Sequence, residues 1–119
     1  MLRLGAVTYL NARPLVCGLD AASGEFSLRY DVPSTCSALL HERSIDVGLI
    51  PSIEYLQRPD YYIVPGVAIA SQRTVASVAL FTNRPVSEIR TIATDTSSRT
   101  SIMLLRVLCA RRFHIAPRL

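Results

Sequence analysis

Lysine and tryptophan are absent from this chain, and cysteine and histidine are scarce, with three and two copies in 119 residues. All thirteen basic residues are therefore Arg, set against nine acidic ones for a net charge of +4. Arg suits planar, bidentate capture of carboxylate or phosphate, and it is also what a GC-rich genome writes by default. The Arg residues are scattered from Arg3 to Arg118, with Arg111 and Arg112 the one adjacent pair. A nucleic-acid footprint would be a patch or stripe, so no nucleic-acid partner is expected. Cys17, Cys36 and Cys109 are too few and too far apart for a zinc ribbon or a CxxC pair, and an odd count does not suggest a secreted disulfide framework. They read as reduced core thiols. His41 and His114 show no HExxH-type spacing, so no metal site is expected.

Charge is low as well, at 18% of residues, while half of the residues are hydrophobic. A disordered chain needs the opposite balance. The length fits one ordinary domain. The opening MLRLGAVTYLN has its apolar residues interrupted by Arg3, Tyr9 and Asn11. It reads as neither a signal peptide nor a membrane anchor, and a cytoplasmic protein is expected.

The patterning alternates between strand and helix. Residues 2–7 are strand-like, and Pro14–Ala22 reads as a helix with Pro14 in its first turn and Asn11 placed as a cap. Phe26, Leu28, Tyr30 and Val32 alternate with polar neighbours, the mark of a half-buried strand. Pro33 ends that strand, and Ser34 or Thr35 is placed to cap a helix over SALLHER. SIDVGLIP follows as a buried strand, then SIEYLQ as a short helix or turn. YYIVPGVAIA and TVASVALFT read as two long β runs separated by Ser71–Arg73. RTIATD reads as a further strand. TSSRTSIMLLRVLCARR opens a helix whose broad apolar face is expected to be well buried. Strand–helix alternation argues for an α/β fold with parallel strands.

Ligands in open α/β sheets bind beyond the carboxyl ends of strands, against helix N-termini. The polar clusters at such places are Thr8–Asn11, Pro33–Thr35, Pro51-Ser52 and Asp95–Ser101. The last is the densest, with five hydroxyl residues and Arg99 in seven positions, and would suit a carboxylate because free backbone N–H groups at a helix start attract anions. Simple capping needs only one of those hydroxyls. Asn11 is open to both a capping and a ligand role. Ser71 and Ser77 border the turn between the two β runs and alone would read as surface serines. Glu54 reads as solvated or paired with an Arg. No GxSxG, P-loop or GxGxxG is present, and the acidic residues show no glycosidase-type pairing.

Taken together, VTYLNARPL, SALLHERSIDVGLIPSIEYL, YYIVPGVAIAS, VASVALFTN and IRTIATDTSSRTS resemble the MqnA family, the chorismate dehydratases of the futalosine route to menaquinone. YLNxxPL, DVGLIPSxEYL and DxxSRTS are specific in combination, and the resemblance runs along essentially the whole chain. It implies an α/β, periplasmic-binding-protein-like (type II) fold of two lobes with a cleft between them. It implies a cytoplasmic enzyme without metal or organic cofactor, acting on dianionic chorismate and needing neither nucleic acid nor membrane. By motif, Asn11 would act at the reacting centre. Ser71 and Ser77 would line the cleft, Ser98, Arg99, Thr100 and Ser101 would cradle an anion, and Pro51 and Ser52 would shape the first lobe's rim. Family members are more than twice this length. The chain thus corresponds to an N-terminal portion, residues 1–75 forming most of lobe one and residues 76–119 the crossover and start of lobe two. Incomplete sheet edges would favour self-association. Where the family has a Gly-Pro-like pair, this chain has Arg73-Thr74, which bears on the turn if the backbone there needs a glycine conformation. A carboxylate-binding module without catalysis, or a fragment without function, are the competing expectations.

Overall fold

A computed structural model describes residues 1–19 and 24–119. The chain divides into two compact units, Met1–Ala70 and Ser71–Leu119.

The first unit is built on three parallel strands, β1 (Leu2–Val7), β2 (Phe26–Asp31) and β3 (Val47–Gly48), in the order β2-β1-β3. The central strand β1 carries the small, apolar Gly5-Ala6-Val7, all buried, as a strand flanked on both edges should. Gly5 leaves room for a neighbour: a Cβ there would lie 2.5 Å from Ile45 Cδ1. β2 runs in register from Leu2↔Phe26 to Val7↔Asp31, and Phe26 and Leu28 alternate with exposed Ser27 and Arg29. Val32 does not continue the strand, because Pro33 fixes its own φ and starts a helix at once. That helix, α2, spans Pro33–His41 with Pro at its first turn.

Val32, rather than Ser34 or Thr35, is therefore the residue that caps α2, and it makes no side-chain cap bond. The expected Ser and Thr lie inside the first turn. α2 lays Cys36 and Ser37 against the sheet, both fully buried. Cys36 Sγ donates to Ala6 O at 3.4 Å and Ser37 Oγ donates back to Pro33 O at 2.9 Å. Burial pushes the Cys36 thiol pKa up, in keeping with a reduced core thiol. Val7, Ala12 and Cys36 form the core, with Leu49 and Ile50 packed against it. α2 ends in a Schellman motif. Ser44 N–H donates to Leu39 O at 2.8 Å and Arg43 N–H to Leu40 O at 3.1 Å, with Arg43 held at φ 58°.

The helix expected over Pro14–Ala22 is shorter. A 3-10 turn, Leu10–Ala12, leads into α1 (Arg13–Val16), and Cys17 leaves the helix with ψ 124°. Asn11 stands inside the 3-10 turn and does not cap α1. The expected residues Asp20, Ala21 and Ala22 lie outside the described residues. β3 is also shorter than SIDVGLIP suggested, and α3 (Ser52–Gln57) follows it.

The two long β runs form no strand among the described residues; residues 61–70 and 74–82 contain turns and otherwise carry no regular structure, outside any ladder. Their β-branched composition is a preference for a half-buried pleated surface, and no partner strand is supplied to them among the described residues. Likewise RTIATD contributes one isolated parallel bridge, Thr91↔Arg118.

The second unit is organised around Ile89, Ile92 and Cys109, with Val86, Leu105, Phe113 and Ile115 packed against them. α4 (Arg99–Leu108) runs into a π-helical turn, Cys109–Phe113, closed by His114 at φ 52°. Contrary to expectation, no residue of α4 is fully buried, and Leu104, Val107 and Leu108 are exposed. The small cluster of this unit covers one part of the helix and leaves the rest of its apolar face open. No helix among the described residues is long and apolar enough to cross a membrane.

Candidate functional site

The order β2-β1-β3 puts a topological switch point between β1 and β3, the place where open parallel sheets present a crevice to ligands. The register Leu4↔Val47 and Gly5↔Gly48 makes both strands end at the same edge of the sheet. Leu49 N–H donating to Gly5 O at 2.9 Å carries the alignment past β3. Thr8–Asn11 leaves β1 there and Pro51-Ser52 leaves β3 there, so two of the clusters picked from sequence emerge side by side. Asn11 is exposed, and the residue after it, Ala12, is buried in the core, which anchors the turn that carries it. Pro51 is half-buried and Ser52, exposed, begins α3.

The remaining candidates belong to the second unit. Ser71 and Ser77 are both exposed. Ser71 Oγ donates to Arg73 O at 2.8 Å and accepts from Arg73 N–H at 3.3 Å, closing a small turn. Arg73 is not among the non-glycine residues at positive φ, which are Arg43 and His114 in the described residues. The turn therefore accommodates Arg73 without a glycine conformation.

In the hydroxyl-rich cluster the donors are turned on one another. Ser97 donates to Asp95 through its N–H at 2.9 Å and its hydroxyl at 2.8 Å, and Ser98 Oγ donates to Ser101 Oγ at 2.7 Å. The Ser97 N–H, then its hydroxyl, hold the Asp95 carboxyl below its usual range. Ser98 occupies the N-cap of α4 without a side-chain cap bond, and Arg99 and Thr100 are exposed. Asp95 thus keeps a negative charge beside the helix start, where the hydroxyl-rich pattern suits an anion.

One constellation was not legible beforehand. Glu54, read as solvated or paired with an Arg, is 1% exposed and lies 2.9 Å from His41 Nε2. The Tyr61 hydroxyl meets His41 Nδ1, and the two rings stack at 11° with centroids 5.5 Å apart. Burial, the largest influence, raises the Tyr61 pKa, against the lowering effect of Arg58, whose guanidinium lies 5.7 Å from the ring centroid. The network ties the end of α2, the first turn of α3 and the segment after α3 together. Pairings across thirteen and twenty residues leave no local periodic signal, so nothing in the sequence pattern could have found them. No group of three or more His, Cys, Asp or Glu among the described residues is placed to hold a metal.

The family model described as menaquinone biosynthesis matches residues 2–119. The chain is 30% identical over 106 residues to the chorismate dehydratase of Thermus thermophilus, a match covering 88% of this chain and 38% of that protein. It therefore spans well under half the length of this curated relative. No solved structure matches it. The match along nearly its entire length places the chain in the menaquinone-biosynthesis family, the MqnA family that its motifs resemble.

Proposed function

We propose that this chain carries the N-terminal part of a chorismate dehydratase, with the periplasmic-binding-protein-like fold that the family resemblance implies. The observation that carries the reading is the family match over residues 2–119, with YLNxxPL and DVGLIPSxEYL falling at the two strand ends of the β1/β3 switch point. In the proposed reaction chorismate loses water and becomes 3-[(1-carboxyvinyl)oxy]benzoate. The proton on the ring carbon that bears the enol ether is acidic because its electrons can flow through the ring double bond to the ring carboxylate. The neighbouring hydroxyl leaves, the proton and hydroxyl depart as water, and the ring becomes aromatic.

Such a reaction asks the protein to hold two carboxylates, to steady developing charge with fixed donors and to keep the substrate from competing rearrangements. Asn11 is assigned to the reacting centre, with Pro51 and Ser52 at the rim of the same crevice. By the family resemblance, Ser71 and Ser77 are assigned to the lining of the cleft, and Ser98, Arg99, Thr100 and Ser101 to an anion cradle. The substrate's own side-chain carboxylate takes the ring proton and passes it to the departing hydroxyl, which leaves as water. The family resemblance suggests neither metal nor organic cofactor.

The test replaces the matched region of the Thermus thermophilus relative with this chain and incubates the folded chimera with chorismate. Product is followed by mass spectrometry. The dehydrated aromatic product, absent without protein, supports the reading. Chorismate bound and returned unchanged would make the crevice a carboxylate-binding module instead.

A further inference from the structure

α3 carries the rim residue Ser52, yet apolar burial does little to hold this helix. Its one buried residue is Glu54, in the same turn as Ser52, while Ile53 is half-buried, Tyr55 is 41% exposed and Leu56 77%. Burying a carboxylate needs compensating hydrogen bonds, and His41 Nε2 supplies one of them at 2.9 Å. His41 ends α2 one turn beyond the buried Ser37, on the same side of that helix. α2 is in turn tied to the central strand through Cys36 Sγ and Ala6 O. The other ring nitrogen of His41 meets the Tyr61 hydroxyl, and a partner on that side sets the orientation of the imidazole. Tyr61 is turned back by its N–H donating to Arg58 O at 3.4 Å, with Arg58 paired to Asp60 at 3.4 Å. The contacts thus run from β1 through α2 and His41 to Glu54, whose N–H donates to Pro51 O at 3.0 Å.

We propose that His41 is a positioning residue for the crevice: acting through Glu54, it sets where Pro51 and Ser52 stand beside Thr8–Asn11. It works at one remove from the substrate and takes no part in proton transfer. An apolar contact tolerates sliding, whereas a hydrogen-bonded carboxylate and imidazole fix direction as well as distance. That matters at a reacting centre, where a misplacement of about 1 Å can cost about 10²-fold in rate. Tyr61 holds the imidazole from its far side, so the geometry does not depend on the Glu54 contact alone. The inference rests on the proposed assignment of Asn11, Pro51 and Ser52 to a substrate crevice.

The experiment places His41→Ala and His41→Gln in the chimera described above, each checked by melting and assayed well below its melting temperature. Amide exchange over residues 52–57 reads the positioning without reference to the reaction. It should speed up about tenfold or more in His41→Ala, while β1 and β2 keep their protection. With chorismate, His41→Ala should lower kcat about 10–100-fold and leave KM within about threefold. His41→Gln, whose amide can still donate to Glu54, should recover most of that rate. In a Ser52→Ala background the same His41→Ala should cost less than about threefold, because the side chain it positions is gone. Unchanged exchange, an unchanged kcat in folded His41→Ala, or an undiminished loss in the Ser52→Ala background would each overturn the inference. If the unsubstituted chimera leaves chorismate unconverted, the dehydratase reading fails, and the exchange difference alone decides whether His41 positions the rim.

Discussion

Glu54 Oε2 lies 2.9 Å from His41 Nε2, with the Glu54 side chain 1% exposed and that of His41 24%. A carboxyl removed from water this completely needs hydrogen-bonding partners, and His41 is one of them. His41→Ala should therefore cost about 1–3 kcal/mol, the range for removing a partner from a buried polar group. Tyr61→Phe, which deletes only the hydroxyl on His41 Nδ1, should cost about 1 kcal/mol. Urea unfolding of the two variants checks both. Equal stability of His41→Ala and the unmodified chain would mean that the pair does not hold α2 to α3.

Gly5 and Ile45 are packed too closely for a side chain at position 5, where a Cβ would meet Ile45 Cδ1 at 2.5 Å. Gly5→Ala is expected to destabilise by about 1–3 kcal/mol, as overpacking a core does. Ile45→Val removes the opposing methyl, so the double variant should recover part of the loss. A double-mutant cycle in urea measures the coupling, and strictly additive effects would contradict the contact.

Arg43 holds φ 58° at the position after the α2 cap, where glycine is the usual resident. A left-handed conformation costs a side chain about 1–2 kcal/mol, and glycine's greater freedom in the unfolded chain offsets about 0.5–1 of that. Arg43→Gly should raise stability by up to about 1 kcal/mol, while the β-branched Arg43→Val lowers it. The Arg43 carbonyl that accepts from Arg3 Nη2 at 2.8 Å is main chain and survives both changes. Thermal unfolding reads the two directions.

Arg3 clamps Asp46 where β1 begins. Its Nη2 lies 2.7 Å from Oδ1, and its Nε and backbone N–H donate to Oδ2 at 3.0 and 2.8 Å. The Arg3 side-chain hydrogen bond first, then the backbone one, bring the Asp46 pKa from 3.8 to about 2. A depressed carboxylate pKa adds stability that is present above the unfolded value and lost as pH falls through the folded one. Asp46→Asn should therefore lower the urea midpoint near neutral pH, and the gap to the unmodified chain should close between pH 3.8 and about 2. A gap that persists undiminished below that window would show that the clamp does not act through the carboxylate charge.

How much of this was legible beforehand follows from how local each signal is. β1 and β2 were written in short apolar or alternating runs, and α2 in a Pro-initiated apolar stretch. The switch point was legible only through strand order, because Thr8–Asn11 and Pro51-Ser52 could be named but not set side by side until the register was known. The two runs in 61–82 failed as strands because composition states a preference and a ladder needs a partner. The broad apolar face of α4 predicts burial, yet the cluster of Ile89, Ile92 and Cys109 covers only part of it. The Asp95–Ser101 cluster was read for its donors, and its hydrogen bonds to itself depend on side-chain directions that spacing does not encode.

Asn11 stands at the centre of the functional account, on the turn leaving β1 at the switch point. The most direct measurement is the rate of chorismate dehydration by the chimera bearing this chain, with and without Asn11→Ala, each checked for unchanged melting. Loss of turnover by about 10²–10³, the scale of removing one preorganised donor, is the outcome expected of that role. A folded Asn11→Ala chimera that dehydrates chorismate at the unmodified rate would contradict it.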